Sequence, residues 1–252
     1  KMIDCHCHLA DKSFREDIEQ VLLRAKESGV KRMVVVSEYA DQLDTVLNLS
    51  TKYEEILPSI GIHPIQKRNK SAQPKHLTQF NQVFNNNKSK VACIGEIGLD
   101  FSLRYKLSAE DKERQVEVFE KQLEMAQGNT LPVNVHSRCA SSAALSTLFK
   151  YSLPVILHAF DGTKDEIREA VNRGYYLSVP PAFTTGQQGR LIVTETPLSQ
   201  LLLESDSPAL GLEKGRNEPS SILISAQFIA DCRSISLLKV QEMTTNNALS
   251  LF

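Results

Sequence analysis

The segment Pro132–His158 reads PVNVH SRCA SSAALSTLFKY SL PVILH, with two short apolar runs, Pro132–His136 and Pro154–His158, on either side of Ser141–Tyr151. The runs have the length and composition of buried strands, and the amphipathic stretch between them predicts a helix. A strand, a helix and a second strand in this order predict a βαβ unit, in which the two strands lie parallel in one sheet. Each run ends in a histidine, so the unit also brings two possible metal ligands to one edge of that sheet.

The same alternation continues along the rest of the chain. Further apolar runs predict strands at Ile3–Cys7, Arg32–Val36, Leu57–Gly61, Val91–Gly95, Tyr175–Val179 and Leu201–Glu204. Helices are predicted between them at Phe14–Ser28, Ala40–Lys52, Leu77–Asn86, Glu110–Gln127, Lys164–Arg173 and Gln187–Thr196, and a final region, Ile222–Phe252, is predicted to form two helices. Gly29 and Gly174 follow the first and sixth helices at positions typical of a helix-ending glycine.

Eight strand–helix repeats in 252 residues predict a (β/α)8 barrel, the TIM barrel, formed by a single domain over residues 1–252. Barrels of this kind have about 250 residues. An open, doubly wound sheet is the structural alternative. No G-x-G-x-x-G follows the first strand, which weakens a dinucleotide-binding interpretation of such a sheet.

Composition and charge exclude several functional classes. The hydrophobic fraction of 41% and the charged fraction of 23% are typical of globular proteins, so disorder is not expected. The net charge of -1 provides no general basic field for nucleic acid or an anionic membrane, so contacts with DNA must come from local groups or metal ions. The five cysteines form no CxxC pair and are expected to be reduced. With no bilayer-spanning run and no signal-peptide pattern, these features predict a cytoplasmic protein, with the nucleus as the alternative.

Side chains able to bind metal lie at the ends of most predicted strands. They are His6, His8, Glu96, His136, His158 and Asp206. In a (β/α)8 barrel the carboxyl ends of the strands surround one mouth, where active sites lie. Imidazole nitrogens mixed with carboxylate oxygens suit zinc, manganese or iron, and magnesium where carboxylates and water dominate. A single histidine at a strand end is usually structural, whereas the whole set predicts a metal site.

The first strand adds an argument from side-chain alternation. Asp4, His6 and His8 are expected to point to one face of the strand and Cys5 and Cys7 to the other. The histidines are therefore predicted to face the barrel interior and the thiols to face the helices. Both cysteines are interpreted as small buried side chains rather than metal ligands.

The longest predicted loop, Gln66–Gln79, is interpreted as solvated surface, together with its lysines and His76. A smaller basic cluster, Lys88 and Lys90, follows nearby and has the same interpretation. The chain has no tryptophan, and no aromatic platform for base stacking is evident. The nearby aromatic candidates, each equally well explained by packing, are Phe101, Tyr105, Phe160 and Phe183.

The motifs resemble, in order, those of TatD-type metal-dependent deoxyribonucleases in the amidohydrolase superfamily. The resemblance covers nearly the whole chain, and the ordered series is far more specific than any one motif. The matching segments are Asp4–Leu9 (DCHCHL), Gly61–Pro64 (GIHP), Gly95–Asp100 (GEIGLD), His136–Arg138 (HSR), His158–Gly162 (HAFDG), Glu204–Pro208 (ESDSP) and Arg216–Pro219 (RNEP). Ala159, Asp161 and Ser205 depart from common family residues and leave the substrate preference open. The His158–Gly162 segment and the Ala209–Gly211 segment (ALG) resemble a divergent eukaryotic-type branch of the family.

The resemblance implies two divalent metal ions, zinc, magnesium or manganese. It assigns His6, His8 and Asp206 to one ion, His136 and His158 to the other, and Glu96 to both as a bridge. Asp206 is then also the general base, so Asp206 and Glu96 are the expected catalytic residues. Glu204 is expected to orient a ligand histidine, and His63 and Arg138 to contact phosphate oxygens, while Asp100 and Arg104 are weaker candidates for substrate contacts.

The activity implied by the resemblance is 3′→5′ exonuclease cleavage of DNA, on a single strand or a 3′ end, by a monomer. One alternative is an amidohydrolase-like enzyme that cleaves a small ester, lactone or amide; many such relatives carry a carboxylated lysine where this chain has Glu96. A second alternative is a catalytically weak barrel that serves as a binding module, because a fold alone does not determine activity.

Overall fold

The structure is a computed structural model and describes residues 1–252. Its central sheet contains the parallel strands β1 (Met2–Cys7), β2 (Val30–Val36), β3 (Ile56–Ile60), β6 (Cys93–Gly98), β7 (Val133–His136), β8 (Val155–Leu157), β9 (Tyr176–Val179) and β10 (Leu201–Leu203). Two short strands, β4 (Ile65–Gln66) and β5 (Lys70–Ser71), pair antiparallel outside this sheet. The helices are α1 (Ile18–Glu27), α2 (Leu43–Lys52), α3 (His76–Asn87), α4 (Ala109–Gly128), α5 (Ser141–Leu148), α6 (Lys164–Asn172), α7 (Gln187–Glu195), α8 (Ile222–Arg233) and α9 (Leu237–Leu249).

The eight parallel strands follow one another around a barrel in the order β1-β2-β3-β6-β7-β8-β9-β10. The seam between the last and first strands is joined beyond the strand ends, where His8 N donates to Ser207 O at 2.8 Å and Asp206 N donates to His6 O at 2.9 Å. These bonds confirm the predicted (β/α)8 barrel in place of an open sheet. They also bring residues from the two ends of the chain together at the carboxyl end of the barrel.

Element boundaries agree with the predicted ones to within a few residues, and Ile222–Phe252 forms two helices as expected. Gly29 and Gly174 have φ of +87° and +79°, as expected for glycines that end helices. The largest boundary difference among the strands is in β6, which continues to Gly98 and so includes Glu96. A register shift between Gly95 and Ile97 interrupts its pairing with β7.

The alternation predicted for β1 is wrong in its details, because the pairing of β1 with β2 shifts register between Asp4 and Cys7. Cys5 packs with Ile156 and Leu202 in a small cluster separate from the main core that contains Cys7. Side chains two residues apart on a strand point to the same face, so Leu202 shares a face with Glu204, which lies beside His158. This small cluster therefore lies inside the barrel. Helix α9 contributes Ala248 to the same cluster. Cys7 packs in the outer core as predicted, and His6 still faces the barrel interior.

The segment predicted as a long loop, Gln66–Gln79, has more structure than expected. It contains the end of β4 and all of β5, and α3 already begins at His76. The Gln66 side chain anchors it, because its Nε2 donates to the carbonyls of Glu38 and His63, both at 2.9 Å. The prediction of a loop over the whole of Gln66–Gln79 is therefore wrong, because a polar hairpin this short has no hydrophobic periodicity, whereas its lysines are exposed as predicted.

No single helix of the structure is long and apolar enough to cross a membrane. Only Pro219–Arg233 and Leu237–Leu249 taken together reach the required length and composition, and they are bent by 114° relative to each other.

Candidate metal centre

The six predicted metal ligands converge at the carboxyl end of the barrel. Five of them are buried and His136 is half-buried. The first group of donors consists of His6, His8 and Asp206, from β1 and from the segment after β10. The Nε2 atoms of His6 and His8 lie 3.2 Å apart, and Asp206 Oδ1 lies 3.3 Å from the former and 3.1 Å from the latter. Three donor atoms from the two ends of the chain therefore surround one point.

The second group consists of His136 and His158, which follow one another around the barrel. Their facing nitrogens, His136 Nδ1 and His158 Nε2, lie 3.3 Å apart. Both lie 2.8 Å from Glu96 Oε1. The other oxygen of the same carboxylate, Oε2, lies 3.5 Å from His8 Nε2 and 3.7 Å from His6 Nε2. Glu96 therefore presents one oxygen to each group, as expected of a bridging carboxylate.

Hydrogen bonds behind two of the histidines determine which ring nitrogen carries the proton. Asn134 Nδ2 donates to Cys5 O at 2.8 Å, so its Oδ1, 2.8 Å from His6 Nδ1, accepts a hydrogen bond from the N–H of that nitrogen. His136 Nε2 lies 3.0 Å from Asp100 Oδ2, which can only accept while it is ionised. In their neutral forms both rings therefore direct an unprotonated nitrogen towards the centre, as a metal ligand must.

This donor set fits divalent cations. With a neutral imidazole, the lone pair on His136 Nδ1 would face the negative Glu96 Oε1 at 2.8 Å, which is unfavourable unless positive charge lies between them. No lysine or arginine pairs with the carboxylates of this centre. Buried carboxylates without a countercharge are costly, so the centre needs positive charge, which bound cations or protonated imidazoles can supply. The buried carboxylates near the donor atoms are those of Glu96, Asp100, Glu204 and Asp206; Asp4 is buried beside Ser205.

The shifts in the pKa values of the histidines and carboxylates also show that positive charge stabilises this centre. Burial lowers the pKa of His8, but the Asp206 hydrogen bond and the nearby carboxylates outweigh it and raise the value to about 9. Burial raises the pKa of Glu96, but the surrounding imidazoles hold it well below its ordinary value. For Asp100, the hydrogen bond with His136 outweighs burial and lowers the pKa to about 2. Without metal, protons on the imidazoles would therefore supply the missing charge.

A buried polar network positions Asp206. Asp4 accepts from Ser205 N at 3.0 Å and from Ser205 Oγ at 2.6 Å, and so ties β1 to the segment after β10. Asn217 Nδ2 donates to the carbonyls of Ser205 and Ala209 at 2.7 and 2.8 Å, on either side of Asp206. Asp206 itself has φ of +51°, which aspartate adopts more readily than most residues. Burial raises the pKa of Asp4 to about 7.

The late motif Arg216–Pro219 anchors the segment that carries Asn217. Arg216 binds Asp17 through two nitrogen–oxygen contacts of 2.7 and 2.5 Å. Glu218 accepts from Arg24 of α1 at 2.7 and 2.8 Å. The motif therefore holds the loop after β10 against α1, and no part of it is among the donors of the centre.

The other predicted site residues lie around the centre. His63 Nδ1 lies 2.9 Å from both the N and the O of Ile65, and His63 Nε2 lies 3.7 Å from Glu96 Oε1. Burial lowers the pKa of His63 to about 4, so the ring is neutral at pH 7. Arg138 is half-buried and pairs only loosely with Asp161, at 3.9 Å. Glu204 Oε2 lies 3.5 Å from His158 Nδ1, on the side away from the donors, where an orienting residue is expected.

Sequence reasoning missed three supporting residues. Asp100 was expected, if anything, to contact substrate, but it binds His136 instead; Arg104 stacks on Tyr105, 4.6 Å from the ring centroid. Asn134 could have been found, because it precedes His136 by two residues on one strand and must share its face. Asp4 could not, because the register shift in β1 sends it towards β10.

Comparison with known proteins now identifies the family. A family profile described as TatD related DNase matches residues 3–252. The chain belongs to this family. It is 41% identical over 258 residues to the human protein named deoxyribonuclease TATDN3, covering 100% of this chain and 94% of that protein. It is 30% identical over 259 residues to the Bacillus subtilis protein named uncharacterized metal-dependent hydrolase YabD, covering 100% of this chain and 98% of that protein.

Among solved structures, this TatD-family chain is similar to Escherichia coli YjjV, described as a TatD homolog. The TM-score is 0.89 at 27% identity, with 100% of this chain and 97% of that chain covered. Membership confirms the resemblance seen in the sequence and the barrel fold. At the level of enzyme class, it also confirms a metal-dependent hydrolase acting on ester bonds. The higher identity to the human relative than to the bacterial one agrees with a eukaryotic-type branch.

Proposed function

We propose that this TatD-family hydrolase is a 3′→5′ exodeoxyribonuclease that uses two divalent metal ions, zinc, magnesium or manganese. The observation that carries this proposal is the division of the centre into two donor groups that share one carboxylate, Glu96. Two cations held close together repel each other, and a shared anionic ligand offsets that repulsion. The family and the name of the human relative, a deoxyribonuclease, support DNA as the substrate.

In this proposal His6, His8 and Asp206 hold one ion, His136 and His158 hold the other, and Glu96 contacts both. The bound ions would lower the pKa of a water molecule and polarise a phosphoryl oxygen. The residues of the chain supply the remaining chemistry. Imidazoles hold the pKa of Asp206 well below its ordinary value despite burial, so its carboxylate is ionised and can accept the proton of the attacking water.

We assign two further residues to the substrate phosphate. His63 Nε2 lies 3.7 Å from Glu96 Oε1, and the tautomer that carries its proton on Nε2 can donate a hydrogen bond to a phosphate oxygen there. Arg138 is half-buried, and its guanidinium can form two parallel bonds with a phosphate once it leaves Asp161. Asp161 also accepts from Cys139 N at 3.0 Å, so it restrains the loop that carries Arg138. The centre lies at the mouth of the barrel, where a single strand or a chain end has easier access than a duplex.

The test is cleavage of single-stranded DNA labelled at its 5′ end, with magnesium, manganese or zinc added back to chelator-treated protein. A ladder of products shortened progressively from the 3′ end, dependent on metal and lost in Glu96→Ala, is the expected result. Internal fragments without a ladder would contradict the exonuclease assignment. A metal-loaded protein that leaves DNA intact but hydrolyses a small ester or amide would contradict DNA as the substrate.

A further inference from the structure

A cavity of about 670 Å³ lies beside the candidate metal centre and contains none of its donor residues. Its walls come from loops that follow β2, β3 and β6, together with the start of α3. These loops share one end of the barrel with the centre, because all of them follow the carboxyl ends of parallel strands. Tyr39 in the wall directly follows Glu38, and Gln66 lies three residues after His63. The cavity therefore opens at the barrel mouth on the side of β2, β3 and β6.

Hydrogen bonds hold the walls of this cavity in place. Gln66 bridges two loops, since its Nε2 donates to the carbonyls of Glu38 and His63 while its Oε1 accepts from Ala40 N at 3.3 Å. Ser71 Oγ donates to Asp111 O at 2.9 Å, which ties β5 to α4. The cavity is thus a formed feature of the fold that needs no large rearrangement.

The cavity carries a small excess of positive charge, since its three lysines, Lys67, Lys70 and Lys75, outnumber its two carboxylates, Asp41 and Asp111. Asp41 is paired with Lys67, and the Asp111 carboxylate accepts from Ser108 N and Oγ at the start of α4. Lys70 and Lys75, by contrast, are exposed and make no ion pair. Since the whole protein has a net charge of -1, this is a local excess of positive charge next to the centre. These ammonium groups could neutralise the phosphates of an anionic chain that extends from the centre into the cavity.

Two tyrosines from different loops also line the cavity. Tyr39 follows β2, and Tyr105 lies in the loop after β6; both are half-buried. Lys67 Nζ lies 5.8 Å from the centroid of the Tyr39 ring. Aromatic rings interleaved with free lysines are the combination that binds single-stranded nucleic acid, because rings stack on bases while ammonium groups contact phosphates.

We propose that this cavity binds the single-stranded DNA next to the cleaved bond, with Tyr39 and Tyr105 stacking on bases and Lys70 and Lys75 contacting phosphates. The proposal rests on the proposed deoxyribonuclease function and assigns the path of its substrate. It replaces two expectations from the sequence, that the lysines of Gln66–Gln79 are solvated surface only and that no aromatic platform exists. Neither could be revised from the sequence, because folding alone brings Tyr39, Tyr105 and the hairpin together.

The test separates binding from cleavage. Fluorescence anisotropy measures the affinity of chelator-treated protein for a short, fluorescein-labelled single-stranded oligonucleotide as a function of salt concentration. Each phosphate contact adds about 0.7 to the slope of log affinity against log salt for single strands, so Lys70→Ala with Lys75→Ala should reduce this slope by about 1.4. The matched control, Lys88→Ala with Lys90→Ala, removes the same charge from exposed residues outside the cavity and should leave the slope unchanged.

Tyrosine variants test stacking independently of charge. Replacing Tyr39 or Tyr105 by leucine removes the ring and should weaken binding roughly 5- to 100-fold, whereas Tyr39→Phe retains the ring and should retain the affinity. Thermal melting of each variant checks that the fold is intact.

Equal effects of the Lys70/Lys75 and Lys88/Lys90 pairs, or no binding by the wild-type protein, would overturn the cavity proposal. Binding with the predicted pattern by a protein that cleaves no DNA after metal is restored would support the cavity and contradict the proposed function alone.

Discussion

The two donor groups of the candidate metal centre share Glu96 but are supported in different ways. The first group has a carboxylate of its own, Asp206, which the main chain and a buried polar network between the two ends of the chain hold in place. The second group consists of two imidazoles and has no carboxylate of its own apart from Glu96. Two carboxylates contact the ring nitrogens that face away from the centre, Asp100 at 3.0 Å from His136 and Glu204 at 3.5 Å from His158. The first group therefore depends on the closure of the barrel, and the second on carboxylates that polarise its imidazoles.

Glu96→Ala gives the largest expected effect, because it removes an oxygen from both groups at once. We expect metal content and turnover to be lost together. The barrel should remain folded, because the substitution also removes the buried negative charge of Glu96 that the metal-free histidines would otherwise surround. Elemental analysis of the purified variant, together with the DNA cleavage assay and thermal melting, checks this. Retention of a full metal complement would refute the shared-ligand description.

Asp206→Asn affects only the first group and removes the proposed proton acceptor. General-base catalysis contributes about 10²- to 10⁴-fold, so turnover should fall by at least about 100-fold, with further loss if metal binding also weakens. The second group should keep its ion, so this variant should bind more metal than Glu96→Ala. Full turnover in Asp206→Asn would rule out the proposed base.

Asp100→Asn tests the second group without changing a donor atom, because Asp100 contacts the ring nitrogen of His136 that faces away from the centre. An asparagine can still contact His136 Nε2, but it lacks the negative charge that polarises the ring. Removing such a partner typically costs 10- to 100-fold in metal affinity or activity, and we expect a loss in that range.

Asn134→Ala is the matched variant for the first group, since it frees His6 Nδ1. Isothermal titration of metal into each protein should show Asp100→Asn weakening one binding event and Asn134→Ala the other. If both variants weakened the same event, the division into two groups would be wrong.

Arg216→Met gives the smallest expected effect, because it acts on the exposed contacts that anchor the loop behind Asp206. Hydrogen bonding to Arg216 lowers the pKa of Asp17, and Arg24 and Arg216 lower that of Glu218. A carboxyl group whose pKa is lower in the folded than in the unfolded protein stabilises the fold at pH values above its unfolded pKa, about 4. This stabilisation is lost as the pH falls through the pKa of the folded protein. The difference in Tm between wild type and variant should therefore be small at pH 7 and disappear in acid. A difference that grew in acid would contradict this sign.

The comparison also shows what the sequence can and cannot predict. The barrel, its element boundaries and the convergence of the six proposed ligands were predictable, because strand-end positions follow from hydrophobic periodicity and a barrel gathers strand ends into one mouth. The support of the donors was harder to predict. Asn134 was accessible from alternation, but Asp4 and Cys5 depend on a register shift in β1 that no local pattern shows. The cavity wall at Gln66–Ser71 depends on side-chain bonds between distant segments, which periodicity cannot reveal.

The most direct test of the central claim is anomalous diffraction from crystals of the protein grown with manganese or zinc. The proposed function predicts two anomalous peaks, one among His6, His8 and Asp206 and one beside His136 and His158, with Glu96 between them. A single peak, or peaks that Glu96 does not separate, would contradict the two-metal centre while leaving the family and the barrel unchanged.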